Sequence, residues 1–321
     1  MDRVLVVGAG VIGLSCAVRL AEAGYDTHVL ARDLPLETTS AVAGGLWLPY
    51  LAEPTHAVNR WGAATFGELR LLAQARPDSG VRMAHGVLLH RAPDPPRPSW
   101  AGADLPLDIA AVGDPRPGYR SGWALEVPLV RTTTYLPWLV QRLARAGGTL
   151  TRLPLAALPD HGVVVNATGV SARALAADPE VVPVRGQVVV VENPGLDHWC
   201  VDEGPEEGST EGPLYVLPRG DHVVVGGTAD RGRYDPEPDL GVAARIMARA
   251  VAVEPALRGA RVLAHRVGLR PARRSVRLER VVRADRTVVH CYGHGGSGIT
   301  LSWGCADDVL ELVRAGSAPP R

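Results

Sequence analysis

The chain has 321 residues, of which 46% are hydrophobic, enough to bury one large core or two modest ones. Its 34 basic and 34 acidic residues cancel, so its net charge favours neither a nucleic acid nor an anionic membrane surface as partner. All the basic residues are arginines, which excludes a P-loop lysine and a pyridoxal Schiff-base lysine. We therefore expect a small molecule as the partner.

Cysteine content and hydropathy bear on the location of the chain. Its four cysteines show neither the C-x-x-C pairs of a zinc site nor the density of a secreted disulfide scaffold, so we expect free thiols and no metal. The apolar N-terminal stretch continues through Arg19 and Glu22 as an amphipathic helix, unlike a signal peptide. No apolar run reaches the roughly 20 residues that a membrane span requires. We expect a cytoplasmic protein with neither a membrane nor a nucleic acid as partner.

The N-terminus has the pattern of a dinucleotide-binding βαβ unit. The apolar run "RVLVV" predicts a buried parallel strand, and "GAGVIG" follows it at once. Gly8 serves the tight turn, Gly10 the close approach of the backbone to a pyrophosphate, and Gly13 the packing of helix on strand. We expect a helix over about 11–23 and a second strand at "DTHVLAR". Asp33 follows that strand, where the motif requires an acid.

Further along, parallel and antiparallel patterns alternate. The segment 33–50 is expected to be a loop, and helices are predicted over 59–75, 134–146 and 241–253, the second with Pro137 in its first turn. "GVVVNATG" predicts another buried parallel strand, whereas "QVVVVEN" and "PLYVLPRGDHVVVGG" predict alternating antiparallel strands. Parallel segments at the start, middle and end indicate a nucleotide-binding domain that a second domain interrupts twice.

A second G-x-G-x-x-G occurs near the C-terminus in "YGHGGSGITLSWGCA", formed by Gly293, Gly295 and Gly298. Only 23 residues follow Gly298, and they predict a helix but no second strand with an acid at its end, so the motif cannot complete a nucleotide-binding half. Two interpretations remain open. The motif is either a tight structural turn or a helix N-terminus whose positive dipole end stabilises negative charge.

The chain resembles the D-amino-acid oxidases, which are FAD-dependent enzymes of the glutathione-reductase-type superfamily. The match runs nearly end to end and includes "VVGAGVIGLS", "ARDLPLETTSAVAGGLWLPY", "VVNATGV", "RGQVVVV", "HRVGLRPARRSVRLE" and "YGHGGSGITLSWGCA". The last two are the most specific, and the D-aspartate oxidases share them. The resemblance implies an α/β fold with a Rossmann-type FAD-binding domain and a second, mostly antiparallel α+β substrate domain, discontinuous in sequence. We assign 1–50, 134–185 and 255–321 to the FAD-binding domain and 51–133 and 186–254 to the substrate-binding domain.

The resemblance also implies which residues hold FAD. Carried over position by position, the cofactor-binding residues are Gly8, Gly10, Val11, Ile12, Gly13, Arg32, Asp33, Thr39, Ser40, Gly45, Leu46, Leu155, Gly169, Gly295, Gly296, Gly298, Ile299 and Thr300. The first glycines match the pyrophosphate site, Arg32 and Asp33 the adenosine end, and the C-terminal glycines the flavin. The second motif then places a positive helix end beside a reduced flavin.

For the substrate, the resemblance implies oxidation of a D-amino acid by hydride transfer from its α-carbon to flavin N5. The imino acid hydrolyses to a 2-oxo acid and ammonia, and O2 is reduced to hydrogen peroxide. Arg270 matches the arginine that grips the carboxylate, Tyr215 the assisting tyrosine, and Gly296 the carbonyl that accepts from the amine. Tyr50 is expected in the pocket wall. A guanidinium is permanently charged and meets a carboxylate bidentately, which suits the role of Arg270.

Simpler interpretations stand beside these. Arg270 would form a surface ion pair, Tyr215 would be a packed strand aromatic, and His294 a hydrogen-bonding loop residue. Alternative functions are a D-aspartate oxidase, for which Arg219 or Arg120 would supply a second guanidinium, a glycine/sarcosine-type amine oxidase, and a non-catalytic nucleotide-binding module.

The sequence departs from the animal members of the family at the active-site lid. "DEGPEEGSTEGPL" is short, acidic and without an aromatic residue. It predicts an open site that disfavours D-aspartate and D-glutamate and accepts neutral side chains, including bulky ones, as well as basic ones. We expect a homodimer as the assembly.

Overall fold

The computed structural model describes residues 3–50, 52–102, 105, 107–160, 162–204, 212–283 and 286–317. The strands within these ranges are β1 Arg3–Val7, β2 Asp26–Ala31, β3 Val81–His90, β4 Ile109–Arg116, β5 Tyr119–Val130, β6 Thr149–Arg152, β7 Val163–Asn166, β8 Val182–Glu192, β9 Trp199–Asp202, β10 Leu214–Pro218, β11 His222–Gly226, β12 Asp230–Arg231, β13 Val262–Arg283 and β14 Arg286–His294. The helices are α1 Val11–Glu22, α2 Thr39–Val42, α3 Thr55–Ala75, α4 Thr132–Arg145, α5 Ala172–Leu175, α6 Leu240–Val253 and α7 Gly298–Ser317.

One half of the molecule is a parallel α/β layer. Strands β6, β2, β1, β7 and β14 lie side by side in that order and all run parallel. Val4 and Val6 of β1 and Val164 and Val165 of β7 are fully buried, as expected for strands covered on both faces. Helix α1 packs against α7 and α4 on one side of this sheet. The predicted Rossmann-type arrangement is confirmed.

The other half is mostly antiparallel. Its strands follow the order β4, β5, β3, β9, β10, β11, β8, and β3–β9 is the one parallel pair along this path. Helix α6 covers one face, where Ile246 packs with Val189, Val216 and Val225. The strands alternate, so that Tyr215 of β10 lies on the opposite face from Val216. The predicted second, antiparallel layer is confirmed.

Strand β13 belongs to both halves. Its residues 262–272 pair with β8, and its residues 277–283 pair with β14, with a register shift between Ala272 and Arg277. A single continuous strand therefore joins the two layers, and Arg270 lies just before the shift. The domain boundaries predicted from sequence stay predictions, because this strand has no break at which to divide it.

Three local predictions differ from the structure. Helix α3 begins at Thr55, four residues before the predicted 59, where Thr55 N donates to Glu53 Oε2 at 2.6 Å. Helix α4 begins at Thr132, two residues earlier than predicted, because Thr132 Oγ1 is buried and donates to Ala41 O at 2.9 Å. Pro137 therefore lies in the second turn of the helix and not in the first. The predicted loop 33–50 contains the short helix α2. None of the helices in the described ranges combines the length and apolarity needed to cross a membrane.

An ion-pair cluster connects the helices of the parallel half. Glu68 of α3 accepts from Arg19 of α1 at 2.9 Å and from Arg142 of α4 at 2.9 Å. Both guanidinium groups stack on Trp303 of α7, at 4.5 and 4.8 Å from its ring centroid. Burial acts to raise the pKa of Glu68, but Arg19 and Arg142 outweigh it and the net shift is downward. The folded state therefore stabilises the ionised carboxylate.

We expect Glu68→Gln to lower the free energy of unfolding at neutral pH by about 1–3 kcal/mol, because two guanidinium groups lose their shared partner. The loss should be full above the unfolded-state pKa of about 4.3 and should fade as pH falls through the lower folded-state pKa. Urea unfolding at neutral and acidic pH measures both effects. Glu311→Gln is the control, because Glu311 pairs with exposed Arg314 and should change stability by less than about 0.5 kcal/mol. Equal losses in the two variants would contradict a special role for the cluster.

Candidate active site

A cavity of about 1040 Å³ is lined by residues from both halves of the molecule. Its walls include the turns that follow β1 and β2, the first turn of α7, and residues of β8, β10 and β13. Ligand sites of open α/β sheets lie at the carboxyl ends of the parallel strands, which is where this cavity begins. Its volume exceeds that of most small-ligand pockets and suits a dinucleotide together with a second, smaller molecule.

The cavity brings together nearly all the residues that the sequence singled out. Those on its wall are Gly8, Gly10, Val11, Ile12, Arg32, Asp33, Thr39, Ser40, Gly45, Leu46, Tyr50, Leu155, Gly169, Tyr215, Arg270, Gly295, Gly296, Gly298 and Ile299. Gly13 and Thr300 do not line the wall. A side chain at Gly13 would collide with Gly8 O, so this glycine serves helix–strand packing.

Thr300 instead holds the segment that forms part of the wall. Its Oγ1 donates to Leu48 O at 2.9 Å and accepts from Leu48 N at 3.1 Å. Ser297 makes the same double contact with Tyr50, accepting from its N–H and donating to its carbonyl, both at 2.6 Å. These two hydroxyls attach residues 48–50 to the start of α7.

The start of α1 has the features of an anion site. Gly8 has a φ of +116°, and a side chain there would collide with Ala167 O. Val11 N donates to Ser40 Oγ at 3.0 Å, whereas Ile12 N has no acceptor among the described residues. Free N–H groups at a helix N-terminus bind phosphates. This part of the cavity therefore fits the pyrophosphate of a dinucleotide.

The acid that the motif requires is present at the end of β2. Asp33 lines the cavity and forms a two-pronged pair with Arg32, with a shortest N–O distance of 2.6 Å. The hydrogen bond to Asp33 raises the pKa of Arg32. Leu155 supplies an apolar wall in the same cavity. An acid with an apolar neighbour suits a ribose and an adenine, so the residues present fit FAD at this end.

Backbone rather than side chain lines the cavity at the start of α7. Gly295 has a φ of +54°, which favours glycine. A Cβ at Gly296 would lie 2.6 Å from Tyr50 Cδ1, so a larger residue would displace the tyrosine. No donor among the described residues reaches Gly296 O, and Gly298 and Ile299 begin the helix at the wall. A positive helix end therefore faces the cavity here.

The guanidinium of Arg270, in β13, lies over Gly186 of β8. An ideal Cβ at Gly186 would be 2.5 Å from Arg270 Cζ, so the guanidinium occupies the space of the missing side chain. Arg270 Nη1 donates to Thr228 O at 2.8 Å. In the part of the chain that the structure describes, no carboxylate forms an ion pair with Arg270. Its remaining donors are thus available to a ligand in the cavity.

Two tyrosines share this end of the cavity. The hydroxyl of Tyr215 lies 2.9 Å from an ideal Cβ at Gly227, so the ring lies over backbone that carries no side chain. Burial raises the pKa of Tyr50, with Arg270 acting against it. Tyr50 is therefore a neutral phenol at physiological pH. The family resemblance implied that Tyr50 and Tyr215 belong to one pocket, and both residues line this cavity.

The second arginines considered for a D-aspartate oxidase are not in the cavity. Arg219 is buried and donates to the carbonyls of Ala43 and Gly44 and to Thr132 Oγ1 at 3.0 Å. Arg120 is exposed on β5 and does not line the wall. Neither residue is available to a second carboxylate beside Arg270.

The sequence did not indicate Gly186, and it indicated Glu203 only as one acid of the segment "DEGPEEGSTEGPL". Gly186 matters through its register with β13, which sequence does not reveal. Glu203 follows β9 and lines the cavity, where desolvation at the wall, aided by Asp202, raises its pKa to about 7 although the residue keeps contact with solvent. The sequence position could have indicated Glu203. It is two residues after Val201, and alternation along an extended strand puts both side chains on one face.

His294 is buried among sulfur atoms. Burial lowers its pKa to about 4, so the imidazole is neutral at physiological pH. Its Nε2 lies 3.9 Å from Cys291 Sγ, and the ligand atoms of His294, Cys291 and Cys305 all lie within 4.8 Å of one another. Sequence spacing gave no sign of this group, because β14 and α7 bring its members together.

The chain is similar to known proteins over nearly its whole length. A family model described as FAD dependent oxidoreductase matches residues 3–312. The D-amino-acid oxidase of Rubrobacter xylanophilus is 46% identical over 318 residues, which are 98% of this chain and 96% of that protein. The D-aspartate oxidase of Homo sapiens is 36% identical over 328 residues, or 97% of this chain and 94% of that protein. A solved glycine oxidase from Bacillus cereus has a TM-score of 0.80 at 19% identity, covering 99% of this chain and 96% of that one, which bears on the fold alone.

We expect Gly8→Ala to weaken FAD binding by at least about tenfold, because the new methyl group collides with Ala167 O and deforms the turn before α1. Gly24→Ala is the matched control. Gly24 also has a positive φ, +91°, but an added Cβ meets nothing within 4 Å, so the variant carries similar backbone strain away from the cavity. Titration of each apoprotein with FAD, followed by cofactor fluorescence, gives the two affinities. A similar affinity in both variants would argue against the turn as the pyrophosphate site.

Proposed function

The chain belongs to the D-amino-acid oxidase family of FAD-dependent oxidoreductases, and from this premise we propose that it oxidatively deaminates D-amino acids to 2-oxo acids and ammonia. The observation that carries the proposal is Arg270, a guanidinium without a carboxylate partner in the described structure, in the cavity that fits FAD. When bound there, FAD supplies the acceptor for the two electrons that leave the substrate. We also propose O2 as the final acceptor, giving hydrogen peroxide, in a cytoplasmic homodimer.

The role of Arg270 is to bind and orient the substrate carboxylate. Within the described residues its donors other than Nη1 have no acceptor, and a planar guanidinium holds a carboxylate by two parallel hydrogen bonds. Thr228 O and the open space at Gly186 fix the guanidinium before substrate arrives. A clamp of this kind fixes the α-carbon in one orientation, and such positioning accounts for several kcal/mol of a barrier.

Neutral polar groups complete the substrate end. We assign the Tyr215 hydroxyl as a second donor to the carboxylate and Gly296 O as an acceptor for the substrate amine. The carbonyl is free among the described residues, and the phenol of Tyr50 beside it stays protonated. Because the α-hydrogen leaves with its electron pair, the chain needs no side-chain base to remove it as a proton. The neutral, buried His294 is consistent with that assignment.

The alternatives differ in what they require of this cavity. A D-aspartate oxidase needs a cation for the side-chain carboxylate, and neither Arg219 nor Arg120 supplies one. The chain is also 36% identical to the human D-aspartate oxidase, so D-aspartate is among the substrates to be tested. A non-catalytic nucleotide-binding module needs no free Arg270. We therefore favour a D-amino-acid oxidase that prefers side chains without negative charge.

The test of the proposed function is anaerobic mixing of the FAD-loaded protein with single amino acids. We expect D-alanine, D-valine or D-methionine to abolish the visible absorbance of the oxidised cofactor, and their L-isomers to leave it unchanged. D-aspartate should be slower than the neutral D-amino acids, because Arg270 satisfies only one of its carboxylates. Preference for D-aspartate would favour the rival oxidase. A protein that FAD cannot load, or that no D-amino acid reduces, would refute the proposal.

Gly186→Ala tests the clamp without removing the arginine. The added methyl collides with the end of a flexible side chain, so we expect the guanidinium to move and the strand to stay intact. KM for neutral D-amino acids should rise by roughly tenfold or more, since a displaced fork loses its two-pronged contact. FAD affinity and thermal stability should stay near those of the wild type. An unchanged KM would argue against Arg270 as the carboxylate site.

A further inference from the structure

One carboxylate at the Arg270 end of the cavity has no partner among the residues that the structure describes. Glu203 lines the wall together with Tyr50, Tyr215 and Arg270. Its side chain forms no hydrogen bond or ion pair within the described ranges, and it is exposed to solvent. Residues 205–211, which make up most of the acidic segment "DEGPEEGSTEGPL", lie outside the described residues.

Strand alternation fixes the face to which Glu203 belongs. Val201 of β9 is the register partner of Tyr215 of β10, and both line the cavity. Side chains two residues apart on an extended strand point to the same face. Glu203 therefore continues the cavity face of β9, and Asp202 between them points to the opposite face.

Asp202 anchors the backbone on the far side. Its carboxylate accepts from Tyr119 Oη at 2.7 Å and pairs with Arg91 at 2.9 Å. Gly204 N donates to Asp202 Oδ1 at 3.0 Å, so the residues on both sides of Glu203 are held. The charge of Asp202 is compensated by these contacts, whereas no described residue compensates that of Glu203. Asp202 therefore acts as a positioning residue for Glu203.

Arg270 and Glu203 act on the same phenol. Burial is the main cause that raises the pKa of Tyr50, Arg270 acts to lower it, and Glu203 adds to the rise. Opposite charges thus flank one region of the cavity. A substrate held there by its carboxylate would bring its side chain into the field of Glu203.

The other acids on the cavity wall belong to a different region. Asp33 and Glu37 follow β2 and are paired, Asp33 with Arg32 at 2.6 Å and Glu37 with Arg152 at 3.1 Å. In the described part of the chain, Glu203 is accordingly the acid available to a ligand at the substrate end.

We propose that Glu203 binds the cationic side chain of basic D-amino acids, which makes D-lysine and its analogues substrates of this site. The inference rests on the proposed function and extends it to a substrate class. Arg270 takes the α-carboxylate and Glu203 takes the distal ammonium or guanidinium. The same carboxylate repels D-aspartate and D-glutamate, so one residue both attracts basic substrates and excludes acidic ones.

The experiment compares D-lysine with D-norleucine, which has the same carbon chain without the terminal amine. Above neutral pH Glu203, whose pKa desolvation raises to about 7, is mostly ionised, and the lysine side chain with its pKa of about 10.4 is still charged. We expect Glu203→Gln to lower kcat/KM for D-lysine about three- to tenfold and to leave D-norleucine within about twofold, the range for a partly solvated ion pair. Added salt should weaken D-lysine turnover by the wild type and not by the variant.

Two further variants make the result decisive. Glu192→Gln removes the same charge from a half-exposed residue of β8 that does not line the cavity, and it should change neither substrate. Glu203→Asp keeps the charge and should retain part of the D-lysine activity. The inference is overturned if the wild type oxidises D-norleucine but not D-lysine, or if Glu203→Gln affects both substrates equally. In either case D-norleucine turnover leaves the proposed function standing, whereas failure of every D-amino acid would remove the proposed function itself.

Discussion

The constraint on which the molecule depends is the continuity of β13. One strand completes the antiparallel layer through β8 and then pairs with β14 beside the parallel layer. Arg270 lies where the strand passes from one pairing to the other. The distance between Arg270 and the turn after β1 is therefore set by the backbone hydrogen bonds of a sheet. Such a sheet deforms less than loops do. A hinge between two separate domains would not give that fixed spacing.

At two places on the cavity wall, a glycine leaves space for a neighbouring side chain. Gly186 leaves room for a guanidinium, and Gly296 leaves room for Tyr50. Hydroxyls do the complementary work, because Ser297 and Thr300 hold residues 48–50 against the start of α7. Near the start of α7 the wall is thus formed by backbone that hydroxyls hold in place. This arrangement allows close approach to a flat cofactor without filling the space that the cofactor needs.

Sequence predicted the local parts of this design and missed those that depend on distant pairing. The β1–α1–β2 unit was predictable because the glycines, the helix and Asp33 lie within one short segment. Arg270 was found through family resemblance, but its support at Gly186 arises from the register of strands far apart in sequence. Glu203 lies in the acidic segment that the sequence had already related to the site, but no pattern in the sequence distinguished it from its acidic neighbours. Helix α4 began early because a buried contact of Thr132 outweighed the preference of Pro137 for a first turn.

Arg219 gives the structure a further property. Its guanidinium donates hydrogen bonds to the carbonyls of Ala43 and Gly44 and to Thr132 Oγ1. Burial lowers the pKa of Arg219 to about 10. The residue belongs to the turn between β10 and β11, yet it fastens the segment that carries Ser40 and Gly45. That segment is consequently shaped before any nucleotide arrives. Cofactor capture then carries a smaller entropic penalty than the ordering of a free loop would impose, so the apoprotein is prepared for its cofactor by an arginine that never touches the cavity.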